Sequence, residues 1–421
     1  MNALHTLTAR LLATAPVDAA GPSVEQFLLL LAVILVAAKV LGELAERIGQ
    51  PAVVGELLAG VILGPSVLGF VDPTMPSLHL LAEIGVVLLL FGIGLETDLK
   101  RLVSVGGAAF TVAIVGVLLP FAAGFAVARG LGLALLPAVV AGAALTATSV
   151  GITARVFSDL GQLKSVEGQI VLGAAVIDDV IGLVILAVVS DLVAGNAPSA
   201  LGVLRTTAVA FGFLAVVLLL GRFIVPPLFG LIARLGKEHT LASMALALAF
   251  LLAVAASEVG SAVIVGAFAA GLVLAPTEHA HAIERGIVRL ANIFVPIFFV
   301  AVGAAVDVRT FGSHDVLIVG LALTGVAIVG KFAAGFAPVW IRARKTLIGV
   351  GMIPRGEVGL IFAQTGLAAG VIDAGEYSAL MLMVLVTTFI APPLLRQLMS
   401  KAPAPANDTD TGSVVEMTTE A

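Results

Sequence analysis

Two aspartates stand side by side in an otherwise apolar run, Gly173-Ala-Ala-Val-Ile-Asp-Asp-Val-Ile-Gly182. A carboxylate at the centre of a bilayer costs roughly 2.5–3.5 kcal/mol on insertion scales. Asp178 and Asp179 in succession are therefore expected to serve something, or to be tied into a buried polar network. Carboxylate oxygens suit a dehydrated alkali cation, and the same oxygens take a proton. One site that holds either a cation or a proton, but never both, is the coupling an exchanger needs. The pair is read as an ion- and proton-binding site for Na⁺ or K⁺.

Three further clusters of polar residues lie inside apolar stretches. Leu145-Thr-Ala-Thr-Ser-Val-Gly151 offers the hydroxyls of Thr146, Thr148 and Ser149. Such hydroxyls often bond back to their own helix, so they carry weight only beside another signal. Gly349-Val-Gly-Met-Ile-Pro-Arg-Gly-Glu-Val-Gly359 provides that signal. Pro354 cannot donate a hydrogen bond, and the surrounding glycines weaken a helix. Arg355 and Glu357 can neutralise the helix ends that a break exposes. Lys331, in Val329-Gly-Lys-Phe332, is a costly lone ammonium whose simplest partner is one of the two aspartates. Gly325–Lys331 also matches the start of a phosphate-binding loop. Phe332 stands where Ser or Thr belongs, and the stretch lies inside an apolar span, so that reading is rejected. Glu56, Glu83, Glu96 and Glu258 are further acids in or near spans, where an interface position is as good a reading as function. Gly60 and Gly64 form a GxxxG, read as helix packing.

The elements that must position these groups are transmembrane helices. The 421 residues are 60% hydrophobic and 12% charged, with a mean hydropathy of +1.16. A water-soluble domain carries about a quarter charged residues. Thirteen apolar runs are long enough to span ~30 Å of hydrocarbon. They lie near 24–43, 51–69, 78–96, 104–128, 133–156, 166–193, 203–231, 239–256, 258–275, 286–304, 315–338, 346–369 and 376–398, with the least secure boundary at Ser257–Glu258. The expected fold is an all-α polytopic membrane protein. Six spans, a linker span over 203–231 and six more give an inverted repeat. It pairs span 5 with span 12, the two that look broken and crossed. A break is tolerated where it lines a cavity, not where it faces lipid. No residue-level repeat is legible; the matching positions of the two breaks carry the argument.

Basic residues set the orientation. Alternate loops and termini hold fourteen Lys and Arg against four, which places the N-terminus outside and the C-terminus in the cytoplasm. Residues 1–23 read as a short tail and 401–421 as a disordered polar tail. There are no cysteines, which excludes disulfides, thiolate metal sites and thiol nucleophiles. The six histidines show no metal spacing, and hydrolase motifs such as GxSxG and HExxH are missing. No enzyme, no cofactor and no nucleic-acid partner is expected. The partners are the bilayer, protons and a monovalent cation.

Over roughly 24–398 the chain resembles the monovalent cation:proton antiporter-2 family, which includes NapA-type sodium/proton antiporters and Kef-type potassium efflux systems. The likeness rests on Thr148–Ser149, on Ile177-Asp-Asp-Val180 and on Gly351-Met-Ile-Pro-Arg-Gly-Glu-Val358. The resemblance implies a homodimer in a bacterial plasma membrane. It implies a dimerisation part over 24–96 and 239–304 and a mobile core over 104–193 and 315–398. It further implies that Lys331 pairs with Asp178, that Asp179 binds the ion with Asp178, Thr148 and Ser149, and that two protons exchange for one sodium by alternating access. An electroneutral or K⁺-selective exchanger is the alternative, and a cation channel a more distant one. Li⁺ is a further candidate ion. Kef-type systems append a cytosolic nucleotide-binding domain; this sequence ends after a short tail.

Overall fold

The computed structural model describes residues 23–97, 99–193, 200–235, 238–306, 308–309 and 313–400. The two expected tails lie outside these residues, apart from Ser23. The described residues form sixteen α-helices and no strand. In chain order they are α1 (Val24–Arg47), α2 (Ala52–Leu63), α3 (Pro76–Glu96), α4 (Leu99–Ser104), α5 (Gly106–Gly130), α6 (Leu135–Ala144), α7 (Val150–Asp159) and α8 (Val166–Val193). Then follow α9 (Ala200–Leu235), α10 (Glu238–Glu258), α11 (Val263–Leu274), α12 (Ala280–Ala304), α13 (His314–Ala334), α14 (Lys345–Gly351), α15 (Glu357–Ala368) and α16 (Ala374–Ser400).

Among the described residues nine helices are long and apolar enough to cross a membrane: α1, α3, α5, α8, α9, α10, α12, α13 and α16. Each falls on one of the thirteen expected spans. The other four expected spans are not single long helices. Spans 5 and 12 divide into α6–α7 and α14–α15. Spans 2 and 9 contain only the twelve-residue helices α2 and α11, about 18 Å long. After α2 the chain turns at Gly64–Leu68 although Val67 and Leu68 are apolar. Hydropathy does not separate an apolar turn from an apolar helix. Between α10 and α11 the turn is made at Gly260, with φ +80, a conformation glycine adopts without a Cβ clash.

The fold repeats itself at residue level. Gly55-Glu-Leu-Leu-Ala-Gly-Val-Ile-Leu63 forms most of α2, and Gly266-Ala-Phe-Ala-Ala-Gly-Leu-Val-Leu274 most of α11. Each segment's first glycine presses on the helix before it. A Cβ on Gly55 would lie 2.1 Å from the Leu41 carbonyl oxygen, and one on Gly266 would lie 2.1 Å from that of Leu252. The second glycine makes a crossing with the other half of the chain. Gly60 of α2 meets Gly303 of α12, and Gly271 of α11 meets Gly94 of α3. A Cβ at any of these four would come within 2.4 Å of a backbone oxygen. Gly60 and Gly64 thus face α12 within the chain, as the packing reading expects.

These crossings join α1–α3 and α10–α12 into one bundle, whose buried residues include Ile34, Ala59, Leu78 and Val300. A second bundle joins α5, α6, α8, α13, α15 and α16 around Ala141, Leu323, Phe362 and Met383. Helix α9 runs between them, packing on α8, α10 and α11. Helix α7 belongs with the second bundle but also meets the first, where the Ser158 hydroxyl reaches Glu96 of α3 at 3.5 Å.

Candidate functional site

Two five-residue interruptions face each other at the heart of the second bundle. Leu145–Ser149 separates α6 from α7, and Met352–Gly356 separates α14 from α15. Each leaves backbone groups without a partner in their own helix. The breaks satisfy one another. The Ser149 N–H donates to the Pro354 carbonyl at 2.9 Å. The Thr153 hydroxyl donates to the Gly351 carbonyl at 2.8 Å, and Thr148 Oγ1 lies 3.3 Å from the Met352 carbonyl. Gly356 permits this close approach, because a Cβ there would sit 2.7 Å from Ser149 Oγ. Two carbonyl ends, of α6 and α14, and two N–H ends, of α7 and α15, therefore converge on one buried point.

Asp178 reaches that point from α8, and Asp179 follows it in the same helix. Asp178 is fully buried and Asp179 is 5% exposed. Lys331 Nζ, from α13, donates to Asp178 Oδ2 at 2.5 Å, and both side chains are wholly buried. Thr148 Oγ1 donates to the same oxygen at 2.8 Å. Asp178 Oδ1 is buried and has no hydrogen-bond partner among the described residues. The Ser149 hydroxyl is likewise buried and unpartnered there. Lys331 also feels Asp179 and Arg355 electrostatically. The Asp178 carboxylate is thus asymmetric: among the described residues one oxygen is committed twice and the other not at all.

Arg355 is fully buried in the second break. Nη1 approaches the Met352 carbonyl at 3.4 Å, while Nε and Nη2 have no hydrogen-bond partner among the described residues. A buried guanidinium with so few bonds is costly unless opposite charge surrounds it. The carbonyl end of α14 and the carboxylate of Asp178 supply that charge. The helix start at Glu357 is described, but its side chain lies outside the described residues.

The structure therefore brings together Thr148, Ser149, Asp178, Lys331 and Arg355, which are over 200 residues apart in sequence at the extremes. Thr146 is different: its hydroxyl bonds the Ala143 carbonyl at 2.7 Å, a back-bond to the preceding helix. Glu83 is exposed and lies 3.7 Å from His79. Glu56 is buried in α2, a helix of the first bundle, with one oxygen unpartnered among the described residues. The sequence reading did not single out Thr153 or Thr388, yet both hold the second break: the Thr388 hydroxyl of α16 donates to the Arg355 carbonyl. Their only sequence signal is a hydroxyl in an apolar helix, which ordinarily means a back-bond. Among the described residues no group of three or more His, Cys, Asp and Glu is placed to hold a metal ion.

Comparison with known proteins agrees with this architecture. The family described as "Sodium/hydrogen exchanger, transmembrane" matches residues 30–401. The high-affinity Na(+)/H(+) antiporter NhaS3 of Synechocystis is 41% identical, over 88% of this chain and 89% of that one. The Na(+)/H(+)-K(+) antiporter GerN of Bacillus cereus is 35% identical, over 88% and 96%. Among solved structures, the sodium proton antiporter MjNhaP1 of Methanocaldococcus jannaschii superposes with a TM-score of 0.66. That match covers 89% of this chain and 99% of MjNhaP1, at 18% identity, and so speaks for the fold. With nearly nine-tenths of its length matched, the chain belongs to the transmembrane sodium/hydrogen exchanger family.

Proposed function

We propose that this protein exchanges Na⁺ for protons across the membrane, with Asp178 and Asp179 as the shared ion and proton site. The observation that carries the reading is the asymmetry at Asp178. Its Oδ2 is held by Lys331 and Thr148, while its Oδ1 has no hydrogen-bond partner among the described residues, and neither has the buried Ser149 hydroxyl of the first break. Carboxylates this deeply buried are stabilised by a proton, an ammonium or a metal cation. Asp179 carries the ion or the proton, with Asp178, Thr148 and Ser149 as neighbours. Arg355 and Glu357 compensate the broken helix ends.

Lys331 decides the electrical balance. When sodium occupies the site, the ion competes with the ammonium for Asp178, and Lys331 can release its own proton. One sodium then exchanges for two protons, and each cycle moves one net charge. At roughly 2.3 kcal/mol per charge per 100 mV, an ordinary membrane potential sustains more than a tenfold sodium gradient. The name of GerN includes potassium as well as sodium, so a potassium-handling exchanger is the second reading.

Alternating access fits the division into two bundles. The bundle of α5–α8 and α13–α16 carries the site and moves; the bundle of α1–α3 and α10–α12 is the scaffold and the dimerisation face. The N-terminus lies outside and the C-terminus in the cytoplasm of a bacterial cell. The test is a cation series in proteoliposomes, with Na⁺, Li⁺ and K⁺ added in turn, with and without an imposed potential. Sodium-driven proton flux that changes with the potential is the expected result. Flux that ignores the potential removes the electrogenic reading, and flux with potassium alone removes the sodium one.

A further inference from the structure

Thr387 and Thr388 form a second buried polar pair, in the apolar middle of α16, at 0% and 2% exposure. They sit, within one residue, as far from the start of α16 as Asp178 and Asp179 do from the start of α8. Helices α8 and α16 are repeat partners, each packed against the helix two spans before it, α5 and α13. The depth at which one half of the molecule carries two carboxylates carries two hydroxyls in the other.

The two hydroxyls behave differently. Thr387 donates to the Met383 carbonyl at 2.8 Å, within its own helix, which is the ordinary state of a helical threonine. Thr388 instead leaves its helix and donates to the carbonyl of Arg355, in the second break. That carbonyl belongs to no helix turn, and a buried carbonyl with no donor is costly. The neighbouring residues of the same short segment touch the first break. The Pro354 carbonyl accepts from the Ser149 N–H at 2.9 Å, and Gly356 lies against the Ser149 side chain. The segment Pro354–Gly356 is thus held by Ser149 on one contact and by Thr388 on another.

We infer that Thr388 is a positioning residue for the cation site: its hydroxyl fixes the Arg355 carbonyl, and so sets how closely Gly356 and Pro354 approach Ser149. The inference rests on the reading of Thr148, Ser149, Asp178 and Asp179 as that site. Cation affinity and discrimination by ion size then depend on a residue that touches no ion. Loss of one hydrogen bond of this kind alters an equilibrium by about fivefold.

The test is the KM for Na⁺ and for Li⁺ in proteoliposomes of the wild type, Thr388→Val, Thr388→Ser and Thr387→Val, with melting temperatures taken in parallel. Thr388→Val removes the donor and keeps the shape. It is expected to raise the KM for Na⁺ about fivefold and to change the Na⁺-to-Li⁺ ratio of KM, with the maximal rate little altered. Thr388→Ser and Thr387→Val are expected to resemble the wild type. An unchanged KM and ion ratio in folded Thr388→Val overturns the inference, as does an equal shift in Thr387→Val. If Thr388→Val does not fold, Thr388→Cys keeps a weak donor and is expected to show an intermediate KM. Failure of both to fold while Thr388→Ser folds assigns the hydroxyl to stability and overturns the inference. Undiminished exchange in Asp179→Asn, assayed alongside, would instead refute the site reading, so the two failures are distinct.

Discussion

Lys331 and Thr148 share one oxygen of Asp178, at 2.5 and 2.8 Å, and this decides what each neighbour can contribute. In the proposed cycle the Lys331 ammonium stands in for the cation at Asp178 when none is bound. Replacing it by a neutral side chain should therefore separate transport from charge movement. Lys331→Gln is expected to retain sodium-driven proton flux but to lose its response to an imposed potential. It should also melt lower, since opening a buried ion pair costs about 3 kcal/mol. Flux in Lys331→Gln that still follows the potential would show that the lysine proton is not part of the cycle. The charged members of the site were legible in the sequence because charge inside an apolar span is expensive and therefore conspicuous. Asp178, Asp179, Lys331 and Arg355 all stand out that way. The hydroxyl members were less so. Thr146 and Thr148 look alike on paper, yet one bonds back to Ala143 and the other reaches Asp178. Thr153 and Thr388 were missed, because their partners are carbonyls distant in sequence.

At the scale of elements the controlling contacts are glycines. Gly271 of α11 crosses Gly94 of α3 with no room for a side chain, since a Cβ would meet the Phe91 carbonyl oxygen at 2.4 Å. Gly271→Ala must push two helices apart and is expected to cost about 3 kcal/mol or to prevent folding. Gly107, near the start of α5, has nothing within 4 Å of its Cβ position. Gly107→Ala should stabilise the protein by about 0.5–1 kcal/mol through helix propensity alone. Thermal melting in detergent compares the two. Equal effects would mean that the crossings are looser than described. Hydropathy located the nine long helices, and proline with glycine located the break after Gly351. Hydropathy ran span 2 on into the apolar turn after α2, because it registers polarity and not direction, and it began span 9 in the turn before α11, at the boundary that was already the least secure. The repeat stayed hidden for a related reason: α2 and α11 share glycines and small residues, while the larger residues around them have diverged. Only the crossings with Gly303 and Gly94 reveal that the same positions do the same work.

For the whole molecule, the account requires the two bundles to move relative to one another. Helix α7 is where they can be tied, since its Ser158 reaches Glu96 of α3 at 3.5 Å. The natural chain has no cysteine, so a single introduced pair can be cross-linked without side reactions. A short reducible cross-link between Ser158→Cys and Glu96→Cys is expected to stop exchange, and its reduction to restore it. Full exchange in the cross-linked protein would mean that α7 and α3 stay together throughout the cycle. The central claim, that Asp178 and Asp179 hold cation and proton in turn, has a more direct test. It is the proton flux that follows a sodium pulse in proteoliposomes of the wild type and of Asp179→Asn, measured side by side. The account predicts flux in the wild type and none above empty liposomes in the folded variant; wild-type flux in Asp179→Asn would contradict it.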